Sequence, residues 1–371
     1  MMILLAVVIF IFILGLLVFV HELGHFVMAK RAGMKVEEFG FGFPPRMFGI
    51  QRGETFYSIN WIPLGGFVKI LGEEGASDDP RSFANGSFGN RLVVLLAGVT
   101  MNFILGWFLL FLGFAVVGTP MEIAGGVDIG NARLSEEKIT IIAVESGSPA
   151  EHAGFKHGDV VLSVDGKKFS DISEMIVYTK SHTGQKVTYE LKRGDQVLYR
   201  DVNPRENPPE GSGPVGFAPA KIANATYPLP EALELSARSF VSKTLGIFAA
   251  FGRLFQKLFS TGQVIEGLSG PVGIAVLTQD FFRLGLVYLV QFAAILSINL
   301  AIINAVPFPA LDGGRVLFLV IEKIRGQKSK KVEQLANAVG FILLILLMAL
   351  VTFRDIGKFS DEFKRLFERI L

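Results

Sequence analysis

The sequence contains no cysteine. That excludes a disulfide framework, a thiolate metal site and a cysteine nucleophile, so any bound metal must be held by His, Asp, Glu or water. Histidine is scarce as well, with five in 371 residues. The formal net charge is only +2, too small an excess to point to a nucleic-acid partner. What the chain has in quantity is apolar surface. Half of its residues are hydrophobic, 34 are phenylalanine, and the mean hydropathy is +0.47.

The apolar residues are gathered into runs. Residues 1–20 carry no charge, and the apolar character extends toward Ala29; residues 92–120, 284–310 and 335–353 form three more such segments. A helix needs about 20 residues to cross a bilayer, and each segment is long enough. Buried helices of a large soluble protein are the rival reading; four such runs in one chain favour a polytopic α-helical membrane protein with about four spans. A cleaved signal peptide is the rival for the first run. It lacks a basic leading region and a small-residue cleavage site, and is followed by Lys30–Arg31. Basic residues cluster between spans one and two (Lys30, Arg31, Lys35, Arg46) and between spans three and four (Lys323, Arg325, Lys331). Positive-inside bias puts both connections in the cytoplasm, which leaves the N-terminus, the long middle region and the C-terminus outside. The absence of a transit peptide suggests a bacterial cytoplasmic membrane.

This gives a provisional organisation: a first span over 1–29, a cytoplasmic or membrane-associated β region over 30–91, a second span over 92–118 and a soluble domain over 121–205. Linker and amphipathic helices follow over 206–282, then a third span with a broken segment over 283–320. A basic connection at 321–333, a fourth span at 334–353 and a tail at 354–371, read as an amphipathic surface helix, complete the chain. In the β region, residues 36–48 are rich in Gly, Phe and Pro, while 55–62 and 66–71 read as short strands around Pro63, Leu64 and Gly65. In the soluble domain, 139–144 and 159–164 alternate as strands, 172–180 is helix-like, and 186–192 with 196–202 reads as a hairpin. Residues 203–214 are polar and proline-rich and read as a linker; 267–278, containing GPVGI, reads as a turn toward span three.

The chemistry concentrates in HELGH, at the end of the first span. On a helix, His21 and His25 share one face and can bind one Zn²⁺ together. Glu22 falls next to that face, where it can reach a zinc-bound water rather than the metal itself and would serve as its base. Ionisable groups at such a depth are costly unless paired or metal-bound. The other histidines, His152, His157 and His182, fall in the soluble domain on the opposite side of the membrane by the assigned topology. Asp312, in NAVPFPALDGG at 304–314, is the better third ligand, at the cytoplasmic end of span three. Its rival role is an N-cap for the following helix. The amide of Asn304 has two readings, holding a substrate carbonyl or developing oxyanion, or satisfying carbonyls of a broken helix. Asn102, polar in an apolar run, reads as an interhelical hydrogen bond near the site.

These motifs together resemble the site-2 protease family of intramembrane zinc metalloproteases, and most of all the bacterial group that cleaves membrane-anchored anti-sigma factors. The resemblance covers nearly the whole chain. HELGH is similar to the family's first metal motif. NAVPFPALDGG is similar to the second, which implies Asp312 as third ligand and Asn304 as a substrate-positioning residue. AGVTMNF at 97–103 resembles the span-two motif around Asn102, which implies a substrate contact at Asn102, with Val99 where a proline is usual. GGFVK resembles a membrane-associated β-hairpin that presents substrate as an added strand, which implies substrate contacts at Gly65, Gly66, Phe67, Val68 and Lys69. Residues 147–166 resemble part of one PDZ domain, inserted on the extracytoplasmic side, which either binds a new C-terminus or filters substrates by size.

The resemblance implies one Zn²⁺ per chain and a lipid-embedded single-pass protein substrate, commonly trimmed first by another protease. Anti-sigma factors and signal-peptide remnants are the substrate classes, and no oligomer is required. Two other classes stay open on the sequence. One is a metal-binding transporter, which has no need of a base at Glu22. The other is an inactive PDZ scaffold, against which the presence of His21, Glu22, His25 and Asp312 argues.

Overall fold

In the computed structural model the described residues are 2–73, 75, 77–123, 130–135, 137–194, 196–209, 211–261, 269–326 and 330–358. The tail beyond 358, read above as a surface helix, lies outside them. The chain divides into two compact units. The first comprises Met1–Leu109, Arg238–Gln279 and Phe292–Leu371; the second comprises Leu110–Ala237 and Asp280–Gln291.

The elements run in chain order as follows. Helix α1 (Met2–Arg31) is followed by strands β1 (Val36–Arg52) and β2 (Thr55–Ile70), then α2 (Phe88–Leu112), which ends in a π-helical turn at Gly113–Val117. Strands β3 (Thr119–Glu122), β4 (Arg133–Leu134) and β5 (Lys138–Val144), helix α3 (Pro149–His152), strand β6 (Val160–Val164) and helix α4 (Ile172–Ser181) come next. Strands β7 (Val187–Arg193), β8 (Gln196–Val202) and β9 (Phe217–Thr226) lead into α5 (Leu229–Thr261), α6 (Pro271–Leu284), α7 (Leu286–Ala305), α8 (Asp312–Arg325) and α9 (Lys330–Lys358). Among the described residues, four helical stretches are long and apolar enough to cross a membrane: Leu5–Arg31, Phe88–Val117, Leu286–Ala305 and Lys331–Lys358. The last has little of its length buried within the protein and exposes Leu335, Phe341, Leu346 and Leu350, a surface suited to lipid.

In the first unit, α1 and α2 approach to backbone contact. A Cβ on Gly24 would lie 2.5 Å from the carbonyl oxygen of Ala97, so no larger residue fits that crossing. Ala29, Val36, Ile70, Val94, Leu95 and Leu319 then close a shared core of α1, the β region, α2 and α8.

The β region is larger than the two short strands expected. Residues 36–41 pair with 66–70 on one side and 56–59 on the other, and 55–60 pair again with 46–52. Two long strands that double back thus make a sheet four segments wide. Pro44 and Pro45 fall inside β1, at a register shift between Phe43 and Arg46, where a missing N–H breaks no regular ladder. Buried side chains replace part of the lost pairing: Thr55 Oγ1 donates to Val36 O at 2.9 Å and Asn60 Nδ2 to Gly42 O at 3.0 Å. Residues 66–70 have strand partners on one side only among the described residues.

The GPVGI segment is also not the expected turn. It begins α6, with Pro271 at the first helical position, where its lack of an N–H costs nothing. The N–H groups of Gly270 and Gly273 both donate to Asp355 Oδ2 of α9, at 2.8 and 2.7 Å. A carboxylate distant in sequence caps this helix, a partner that local pattern does not reveal.

The second unit is built on one antiparallel sheet in the order β3-β9-β5-β6-β7-β8, with β4 also pairing β9. Ile141, Val164, Met175, Val187, Tyr189 and Leu191 fill its core. Burial pushes the Tyr189 hydroxyl up to about 12, so it stays a neutral partner of Thr179 Oγ1 at 2.9 Å. Helix α3 starts at Ser148, whose side chain accepts from Glu151 N, and α4 at Asp171, which accepts from Ser173 N. The fully buried Asp159 takes a two-pronged bond from Arg193 at 2.6 and 2.7 Å.

A soluble domain ending at 205 is therefore too short. β9 lies between β3 and β5, and its small residues Ala220, Ala223 and Ala225 are buried. The signal that obscured it is composition: alanine and asparagine are poor strand formers, and the proline-rich loop before it resembles an exit. A fragment spanning 119–227 should unfold cooperatively in urea and give dispersed amide resonances. A fragment ending at 205, deprived of the strand that joins β3 to β5, should do neither.

Candidate metal centre

His21, Glu22 and His25 occupy one turn near the C-terminal end of α1, and Asp312 is the first residue of α8. His21 Nε2 and His25 Nε2 lie 3.2 Å apart. Asp312 Oδ2 is 3.0 Å from the first and 3.3 Å from the second. A tetrahedral zinc with bonds of about 2.0–2.1 Å requires ligand atoms separated by about 3.3 Å. The three atoms thus form one face of such a tetrahedron. Asp312 Oδ2 is buried without an aligned hydrogen-bond donor, the environment of a ligand atom. Among the described residues this is the one group of His, Cys, Asp or Glu side chains so arranged.

Helix α2 supplies no ligand but orients both imidazoles. His25 Nδ1 is 2.8 Å from the carbonyl oxygen of Val94, which accepts from a protonated Nδ1 and leaves the Nε2 lone pair for a metal. His21 Nδ1 is 3.2 Å from the side-chain amide of Asn102, which is fully buried. The atom facing the ring is Asn102 Nδ2, and Oδ1 is buried without a partner among the described residues; with the two amide atoms exchanged, a protonated Nδ1 would donate to the oxygen and Nε2 would again be freed. The Asn102 carbonyl in turn accepts from Ser297 Oγ of α7 at 2.7 Å. Gly98 keeps the centre open: a Cβ there would lie 2.3 Å from His25 Nε2 and 2.7 Å from His21.

A cavity of about 540 Å³ opens on this centre. Its walls include His21, Glu22, His25, Asn304, Asp312 and Arg315, together with Gly65, Gly66, Phe67 and Val68 of β2. Gly66 faces Glu22 closely, its ideal Cβ position being 3.1 Å from Glu22 Cγ. Arg315 is ion-paired to Glu73, which ties α8 to the segment after β2.

Two expected substrate contacts do not line this cavity. Lys69 is largely exposed, pairs with Glu37 at 3.0 Å and is not among the cavity residues. Asn102 does not line the cavity; it stands behind His21. Asp312 is not a helix cap, since Leu311 occupies that position. His182 bonds locally to Tyr178 O, in the second unit. Sequence reading missed Gly98 and Val94. Gly98 sits within AGVTMNF and was visible as a small residue four before Asn102; a backbone carbonyl such as that of Val94 leaves no sequence signal.

Gly98→Ala should empty the metal site without unfolding the helices, because the added methyl occupies the ligand triangle. Asn102→Ala should weaken zinc binding by about ten- to a hundredfold, as loss of an outer hydrogen-bond partner does. Metal analysis after dialysis against graded chelator checks both.

Residues 9–347 match the profile of peptidase family M50. A putative zinc metalloprotease of Clostridium perfringens is 36% identical over 92% of this chain and 95% of its own length. The regulator of sigma-W protease RasP of Bacillus subtilis is 30% identical over 95% of this chain and 98% of its own. A solved PDZ domain of an SdrC-like protein from Listeria monocytogenes aligns with 24% of this chain and 92% of its own, at 23% identity and a TM-score of 0.21. With its donor triangle and a family profile spanning all but the ends, the chain belongs to peptidase family M50, the site-2 type of zinc-dependent membrane metalloprotease.

Proposed function

We propose that this enzyme cuts a peptide bond in or near the transmembrane segment of a single-pass membrane protein already trimmed by another protease. Anti-sigma factors and signal-peptide remnants are the substrate classes; the name of the Bacillus subtilis relative, a regulator of sigma-W, supports the first. The observation that carries the reading is the cavity itself. One wall is the His21, His25 and Asp312 triangle with Glu22 beside it, and another is the strand of residues 66–70, which has strand pairing on one side only among the described residues.

In this reading His21, His25 and Asp312 hold the zinc. When bound, the metal lends Lewis acidity to a water and to the scissile carbonyl. Glu22 takes the water's proton and delivers it to the departing amine. Asn304, at the end of α7, hydrogen-bonds the substrate carbonyl. Gly66, Phe67 and Val68 offer backbone groups to an unwound substrate strand, replacing the helical hydrogen bonds it gives up. The second unit, from β3 through β9, serves as a PDZ domain on the extracytoplasmic side, and the basic connections at Lys30–Arg31 and Lys323–Arg325 face the cytoplasm.

Purified protein should cleave a membrane-embedded model substrate and lose that activity to a chelator. Glu22→Gln should keep its zinc while cleavage falls by about 10²- to 10⁴-fold, the usual loss of a general base. Normal cutting by that variant would sink the mechanism. Asp312→Ala should lower the metal content from near one zinc per chain; if zinc and activity both persisted, Asp312 would not be a ligand.

A further inference from the structure

The three ligand candidates do not stand on equally firm ground. His21 and His25 are fixed by a long helix packed on α2. Asp312 depends on the loop of residues 306–311 that joins α7 to α8. That loop contains a strained turn. Ala310 has φ +73°, a left-handed conformation that residues with a Cβ seldom adopt. Its N–H donates to Asn337 Oδ1 of α9, at 3.0 Å.

The contact with α9 is close. Three residues further along α9, Gly340 lies against the same loop, so that a Cβ there would be 2.5 Å from the Pro309 carbonyl oxygen. The helix thus reaches the loop backbone at Pro309 and holds the next residue by its N–H. From Ala310 the chain passes to Asp312 with little slack. Leu311 N bonds Phe308 O at 3.1 Å, and Gly314 N and Arg315 N bond Leu311 O at 3.0 and 3.2 Å. The helix cap at Leu311 makes no side-chain bond of its own, so the direction of α8 and its first carboxylate follows the turn. Asn337 itself lines a neighbouring cavity of about 440 Å³ and is absent from the walls of the metal cavity.

We propose that Asn337 is a positioning residue for the zinc centre, holding the Ala310 N–H so that the left-handed turn aims the Asp312 carboxylate at His21 and His25. The proposal rests on Asp312 being the third ligand. It distinguishes this role from simple helix packing, because glycine adopts the left-handed turn without strain. Replacing Ala310 by glycine therefore makes the tether less necessary, whereas it cannot repair a packing defect in α9.

The test is zinc affinity of the full-length protein, measured by competition with a chromogenic chelator, alongside thermal unfolding of each variant. Asn337→Ala should weaken zinc binding by about ten- to a hundredfold. The same substitution made in Ala310→Gly should weaken it by less than about threefold, a non-additivity expected only of coupled sites. Wild-type affinity in Asn337→Ala, or an equal loss in both backgrounds, would overturn the proposal. If Asn337→Ala does not accumulate, Asn337→Asp decides: its carboxylate still accepts the N–H, so zinc binding within about threefold of wild type supports the tether and a larger loss refutes it. Asp312→Ala is run in parallel. If it retains zinc, the ligand assignment fails; if it loses zinc while Asn337→Ala does not, only the positioning role fails.

Discussion

The rest of the first unit is arranged around one costly convergence, in which two imidazoles and a carboxylate meet inside an apolar helix bundle. Ionisable groups removed from water must be paired, hydrogen-bonded or metal-bound. Here each ring has one nitrogen occupied by α2, at Val94 O and Asn102, and the other directed at Asp312. The closest helix approach and the space for the metal also coincide. Gly24 lets α1 touch the α2 backbone, and Gly98 keeps the resulting gap free of side chain. Packing that brings α2 near enough to orient the histidines would otherwise fill the space between the three candidate ligand atoms.

The proposed substrate edge answers a separate difficulty. A helix in lipid satisfies its own backbone hydrogen bonds, so its peptide groups are shielded from hydrolysis. Opening it requires replacement partners, and residues 66–70 have strand pairing on only one side among the described residues. Glycine at 66 keeps that edge near Glu22, since a Cβ there would lie 3.1 Å from Glu22 Cγ. An exposed sheet edge is ordinarily a liability. Placed in the wall of the cavity, it would, in the proposed function, hold an extended chain beside Glu22.

Sequence made some of this legible because the signals were local. Charge-free runs reveal helices by length alone, and HELGH reveals its geometry because a helix fixes which residues share a face. The strands of the second unit from Lys138 to Val202 alternate clearly enough to read. What escaped was carried by distant or backbone partners. Asp355 caps α6 from far along the chain, Val94 acts through its carbonyl, and β9 is an interior strand rich in alanine. The prolines of β1 masked a strand by composition, although they sit where the ladder is already irregular. Asn102 was noticed as a polar residue in a span, but only geometry separates a residue that touches substrate from one that turns a ligand.

The division of the ligands between a helix and a loop has a mechanical consequence. A metal bound by His21 and His25 alone would leave α8 free to shift with the turn before it. With Asp312 as the proposed third ligand it would fasten α8 to α1, and Arg315, one turn further along, joins the same helix to Glu73 after β2. Metal binding in such a site contributes to the stability of the folded arrangement, because the donor set does not exist in the separated elements. With His21, His25 and Asp312 as the proposed ligands, a bound zinc would therefore have two effects: it would supply the chemistry, and it would hold α8 against α1, keeping the wall that carries Asn304 and the wall that carries Glu22 on one cavity.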